Sequence, residues 1–218
     1  MISPCRRHML RQSAINAAQQ ASGLLRHATG YELQMQRLNA DKQQLSKHQS
    51  FQAKAEVKRR LLPEYAPWVS GVLAEGNGAQ DAILMTVMIW RIDAGDIAGA
   101  LNIARYAFKH RLAMPFGNRT AGCAFTEEVI DQATRARDAG EPVSIELMLE
   151  VLELTDAEDM PDKVRAQLHK IIGYLYRDGG KDALALERLK NALILDNKSG
   201  VKKDIERLES AIRKASGS

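Results

Sequence analysis

Between Tyr31 and Leu62 the chain contains neither glycine nor proline, and no other feature restricts its fold so tightly. Thr29-Gly30-Tyr31-Glu32 reads as a capping box ahead of this stretch, with a Thr hydroxyl for the third amide and a Glu reaching back. The helix it predicts runs to Pro63, about 33 residues, on the order of 50 Å at 1.5 Å per residue. Tyr31, Met35, Leu38, Leu45 and Gln52 keep an approximate seven-residue stripe, but Gln, Lys, Asp and His fill the positions between. So thin a stripe suits a hairpin with a preceding helix, a self-associating coiled coil, or a solvated helix with one packed side. Ser3-Pro4, an N-cap with proline at the first helical position, predicts that preceding helix from Pro4 to about Ala21.

Beyond Pro63 and Pro67, which are expected to break the helix, the pattern becomes that of ordinary globular helices. They are predicted at Pro67–Glu75, Gln80–Ala94 and Asp96–His110, with Gly76-Asn77-Gly78 and Gly95 as stops and Asp96 as a cap. Thr126 is expected to cap a helix to Ala139, and Ser144 another to about Thr155. Three more follow near Asp162–Arg177, Lys181–Leu195 and Ser199–Lys214. Gly173, Tyr176, Ala185, Leu189 and Ala192 have the small/large spacing of a tetratricopeptide unit, and a shift of 85 residues lands on Met88, Arg91, Ala100, Ala104 and Ala107. Two imperfect units imply helix-hairpin packing rather than a repeat array. The apolar run Ile83 to Trp90 reads as a central core helix, part of whose surface could be subunit interface, and Trp68 and Trp90 read as core. With few alternating β-branched runs, the fold class is all-α: a long N-terminal helical hairpin or coiled-coil arm, then an antiparallel helical bundle with tetratricopeptide-like hairpins.

Charge divides the chain into three blocks. Residues 1–62 carry eleven Lys/Arg against three Asp/Glu, a net of +8; residues 63–158 lie in an acidic middle; residues 159–218 are moderately basic. These blocks are read as a DNA-binding arm, an oligomerisation core and a helical region for a partner subunit. The basic set is Arg6, Arg7, Arg11, Arg26, Arg37, Lys42, Lys47, Lys54, Lys58, Arg59 and Arg60. Cations on extended helices neutralise phosphates and release counterions, and a merely solubilising face would mix signs. Aromatic residues are only 5% of the chain, which argues for backbone contact over base stacking. Deleting residues 1–62 is expected to abolish salt-sensitive DNA binding and leave a folded oligomer.

Other chemistry finds little support. Cys5 and Cys123 are too few for a disulfide scaffold, and Cys5-x-x-His8 lacks the second pair a zinc site needs. Glu127-Glu128 reads as first-turn acids favoured by the helix dipole, and Glu150/Glu153 and Glu158-Asp159 as a solvated face. There is no phosphate-binding Gly-Lys-Ser/Thr loop and no Ser/His/Asp elbow. No cofactor is implied, with Mg2+ entering only if the chain itself cuts DNA. No apolar segment follows the first charges and no run approaches the length of a membrane span, so a soluble protein of the cytoplasm is expected.

Several stretches resemble a known phage family. They include Leu61-Leu62-Pro63, Pro67-Trp68-Val69, Gly78-Ala79-Gln80-Asp81, Gly95 to Leu101, Phe125 to Val129, Asp159-Met160-Pro161-Asp162 and Gly200 to Leu208. Together they are similar to the small terminase subunits of Peduovirus-type temperate phages, essentially end to end. The resemblance implies recognition of the cohesive-end site on concatemeric double-stranded DNA. It also implies a large subunit that supplies the packaging ATPase, a homo-oligomeric ring, and action in the host cytoplasm. Members are traditionally described as the endonuclease subunit, so a magnesium-dependent nuclease is the alternative; a helical adaptor that binds only protein is a third reading. Members can also carry a longer basic tail than the Ala215-Ser216-Gly217-Ser218 end here, and any DNA contact of that tail would be missing.

Overall fold

A computed structural model describes residues 2–19 and 28–216, and among these the chain forms ten helices and no strand. They are α1 (Pro4–Gln19), α2 (Ala28–Ser46), α3 (Phe51–Glu75), α4 (Ala82–Asp93), α5 (Ile97–Lys109), α6 (Ala121–Asp138), α7 (Ile145–Leu154), α8 (Asp162–Asp178), α9 (Asp182–Leu195) and α10 (Lys202–Ser216). Two compact units result, Met1–Ala121 and Gly122–Ser218. The fold is all-α.

Local chemistry explains most of the boundaries. The Ser3 hydroxyl accepts from the Arg6 amide at 3.3 Å and opens α1. Asp96 accepts from the Gly99 amide at 2.8 Å, and Ser144 from the Leu147 amide at 3.2 Å, as their cap roles require.

The single long helix expected from Tyr31 to Leu62 is instead two. The Ser46 hydroxyl donates to the Gln43 carbonyl at 2.7 Å, and the Ser50 hydroxyl accepts from the Ala53 amide at 3.1 Å, capping α3. Serines bracketing Lys47-His48-Gln49 offer the backbone local partners that compete with the helical ladder. Thr29 lies inside α2 rather than ahead of it, and its side chain falls outside the described residues.

Pro63 and Pro67 do not end a helix, because α3 runs through both. An interior proline removes a backbone bond and costs about 3 kcal/mol. Here α3 buries Val57, Tyr65, Trp68, Val69 and Val72, and full burial of such side chains is worth about 1.5–3 kcal/mol each. Tertiary packing therefore outweighs the two prolines. Residue 62 falls inside α3, so the charge blocks and the compact units partition the chain differently.

Thr126 is likewise not a cap. It sits in the second turn of α6, fully buried, with its hydroxyl donating back to the Gly122 carbonyl at 2.7 Å. Glu127 and Glu128 consequently lie beyond the first turn.

The core of the first unit is α4, in which every residue from Ile83 to Trp90 is buried. Asp81 anchors it. One carboxylate oxygen accepts from the Ile83 and Leu84 amides at 2.8 and 2.9 Å, and the other accepts from the Trp68 indole N–H at 2.8 Å. Tyr65 meets the Trp90 ring edge-on, with centroids 5.7 Å apart.

Two helix pairs, α4–α5 and α8–α9, fold back through turns of the same geometry. Gly95 (φ 86°) and Gly180 (φ 70°) adopt the left-handed conformation that L side chains avoid. At the first turn Gly95 N–H donates to Ile92 O at 2.9 Å and Asp96 N–H to Arg91 O at 2.8 Å. At the second Gly180 N–H donates to Arg177 O and Lys181 N–H to Tyr176 O, both at 2.9 Å. Each closes its helix with a Schellman motif. All four residues at one turn lie 85 positions from their counterparts at the other.

Candidate nucleic-acid interface

The eleven basic residues singled out in the sequence meet different fates. On α1, Arg6, Arg7 and Arg11 are exposed and form no ion pair among the described residues. Leu10, Ala14 and Ala17 bury the other part of that helix against its neighbours. The fit to α3 is close: a Cβ on Gly71 would lie 2.5 Å from the Arg11 carbonyl oxygen. Arg11 is thus fixed to the unit by its backbone while its guanidinium stays in solvent.

Lys47, in the turn after α2, and Arg60, on α3, are also exposed and unpaired among the described residues. Lys54 is half-buried on α3 without an ion pair there. Lys42 is half-buried too, and desolvation pulls its ammonium below the ordinary lysine value. Arg26 lies outside the described residues.

The remaining cations hold helices together. Arg37 donates to Glu64 at 2.9 Å, lies 3.8 Å from Asp41, and stands 5.9 Å from the centre of the Tyr65 ring. Tyr65 in turn donates its hydroxyl to Asp41 at 2.6 Å. Burial first, and then Asp41, push the Tyr65 phenol well above its usual range, so it stays a donor. Lys58 pairs with Asp93, and Arg59 Nε donates to the Ala94 carbonyl at 3.0 Å, at the end of α4 where a cation suits the helix dipole. Of the eleven, those that remain outward among the described residues are Arg6, Arg7, Arg11, Lys47 and Arg60, joined by Arg59.

One basic cluster in the second unit was not read from the sequence. Arg177, Arg137 and Lys170 surround the Tyr174 ring at 4.7, 5.0 and 5.8 Å. Their positive charge is largely answered within the unit: Arg137 donates to Asp178 at 2.6 Å, Arg177 to Asp204 at 3.3 Å, and Lys170 to the Ser199 carbonyl at 2.8 Å. Burial, then the bond to Asp204, push the Tyr174 phenol up to about 12. A cleft of about 240 Å³ beside it is lined by Thr134, Arg137, Asp138, Gln167, Lys170 and Tyr174, among others. The three- and four-residue spacing of Lys170, Tyr174, Arg177 and Asp178 was the available signal.

Cys5 and His8 both lie exposed on α1, while Cys123 is buried. Among the described residues no group of three or more His, Cys, Asp or Glu side chains converges so as to hold a metal ion.

Residues 35–163 match the family description "Phage small terminase subunit". The chain belongs to that family. It is 55% identical to the "Terminase, endonuclease subunit" of Escherichia phage P2, across 98% of this chain and 87% of that protein. It is 26% identical to the "Probable terminase, endonuclease subunit" of Haemophilus phage HP1, across 86% of this chain and 72% of that protein. No solved structure matches it. This small terminase subunit has no helix, among the described residues, long and apolar enough to cross a membrane.

Proposed function

We propose that this small terminase subunit binds double-stranded phage DNA at the cohesive-end site and presents it to a large ATPase subunit in the host cytoplasm, working as a homo-oligomeric ring. The observation that carries the DNA contact is the set of outward cations on the first unit, Arg6, Arg7 and Arg11 foremost, whose charge no acid neutralises among the described residues. Phosphates are the partners such side chains fit.

Point substitutions test this better than removal of residues 1–62, which would take away α1, α2 and half of α3 together with the packing around Trp68. Combined Arg6→Ala, Arg7→Ala and Arg11→Ala should weaken duplex binding and flatten its salt dependence. Each lost phosphate contact reduces the slope of log K against log salt by about 0.9. An unchanged slope in an anisotropy titration would overturn the assignment.

The names of the two relatives favour a second reading, a nuclease. No magnesium site is assigned: among the described residues no three or more His, Cys, Asp or Glu side chains converge. Incubating the purified subunit with cohesive-end DNA and Mg2+, without a large subunit, decides it: nicking supports the nuclease, and intact DNA removes it.

A further inference from the structure

Along most of its length the solvent face of α2 is built of amides rather than charges. Gln34, Leu38 and Leu45 are buried, Tyr31, Met35, Arg37, Asp41 and Lys42 flank them, and the opposite side is exposed. From Leu33 to Ser46 that exposed side is Leu33, Gln36, Asn39, Ala40, Gln43, Gln44 and Ser46, with no charge. Among the described residues Glu32, one turn before Gln36, is an exposed charge of α2, and every other described helix with exposed residues also carries at least one. The charged residues of α2 itself are turned to its flanks and packed side, except Glu32 at one end; Lys47 brackets the other.

A helix face kept only for solubility carries charges of both signs. An interface with a second copy would rest on Leu33 and Ala40 alone. Two helices meeting through one Leu, one Ala and a row of amides fall far short of the roughly 1,200 Å² that stable association buries. Base edges fit the face better. Carboxamides of Gln and Asn pair bidentately with N6 and N7 of adenine, and an apolar side chain meets the thymine methyl group. Gln36 and Gln43 are separated by about 10 Å along the helix, the rise of roughly three base pairs. The major groove admits one helix, and the unpaired cations of α1, Lys47 and Arg60 belong to the same compact unit.

We infer that α2 is the base-reading helix of this subunit, and that Gln36, Asn39, Gln43 and Gln44 read adenines in the major groove while the cations hold phosphates. The inference rests on the DNA-binding reading above and assigns to α2 the sequence preference that cations cannot supply. None of the four amide side chains makes a hydrogen bond within the chain among the described residues, so truncating them leaves no buried group unpaired.

The test compares the full-length chain with a Gln36→Ala, Asn39→Ala, Gln43→Ala variant. The probes are a duplex spanning the phage cohesive-end site and a scrambled duplex of the same composition. Preference for the cohesive-end duplex should fall about tenfold or more, while affinity for the scrambled duplex changes less than about twofold. Replacing adenine by 7-deaza-adenine, which removes the N7 acceptor, should produce the same loss in the wild type and little further loss in the variant. An unchanged preference overturns the assignment to α2. A smaller sedimenting species for the variant overturns it also, marking the face as a contact between copies. A wild-type chain with no preference between the duplexes overturns the DNA-recognition reading itself, before any variant is made.

Discussion

Asp81 shows how much one buried carboxylate can organise. It is 3% exposed, caps α4 with one oxygen and receives the Trp68 indole with the other, so the start of the core helix and the largest side chain of α3 are fixed together. His169, on α8, is an opposite case. Its Nδ1 is buried without a hydrogen-bond partner among the described residues, and burial, then Arg188 and Arg165, hold its pKa below the ordinary 6.5, against the weaker pull of Asp156 and Glu187. The folded chain thus binds a proton less readily than the unfolded one. Stability should be fully present above pH 6.5 and fall as acid is added through the lowered folded value. Thermal melts of wild type and His169→Gln between pH 5 and 8 check this: the variant should lose part of the acid-side decline, and identical profiles would refute it.

At the scale of elements, the two helix pairs solve one packing problem in two ways. In α8–α9, Gly173 makes room for Leu189, since a Cβ there would lie 2.7 Å from the Leu189 Cδ2. At the positions 85 residues earlier, the large residue is Met88 and the small one Ala104, both fully buried. Gly173→Ala should therefore destabilise the second unit by about 1–3 kcal/mol through overpacking. Adding Leu189→Ala should give a double variant less destabilised than the two single effects summed, measured by urea unfolding. Strictly additive effects would show that the two residues do not compete for space. The turns of both pairs were legible because a glycine after a helix, followed by a fresh start, is a local signal. The end of α2 and the continuity of α3 were not. Prolines advertised a break that packing of Tyr65 and Trp68 overrides, and the weaker serine signals at Ser46 and Ser50 mark the real one.

For the whole molecule, the division at Ala121/Gly122 predicts separable behaviour. Residues 1–121 contain their own core, from Tyr65 and Trp68 to α4 and α5, and all the outward cations assigned to phosphate contact. Expressed alone they should fold and retard a cohesive-end duplex, whereas residues 122–218 should not. Retardation by the second fragment only would reverse the assignment. Several properties were settled by the sequence alone: helical class, the caps Asp96 and Ser144, the buried run Ile83 to Trp90, and the excess of cations near the N-terminus. Each depends on residues within a turn or two of one another. Which cations remain outward was decided only by the tertiary structure. Arg37 meets Glu64 across 27 positions and Lys58 meets Asp93 across 35, while Arg6, Arg7 and Arg11 meet no acid among the described residues. Charge is written in the chain, but its neutralisation depends on which helices pack side by side.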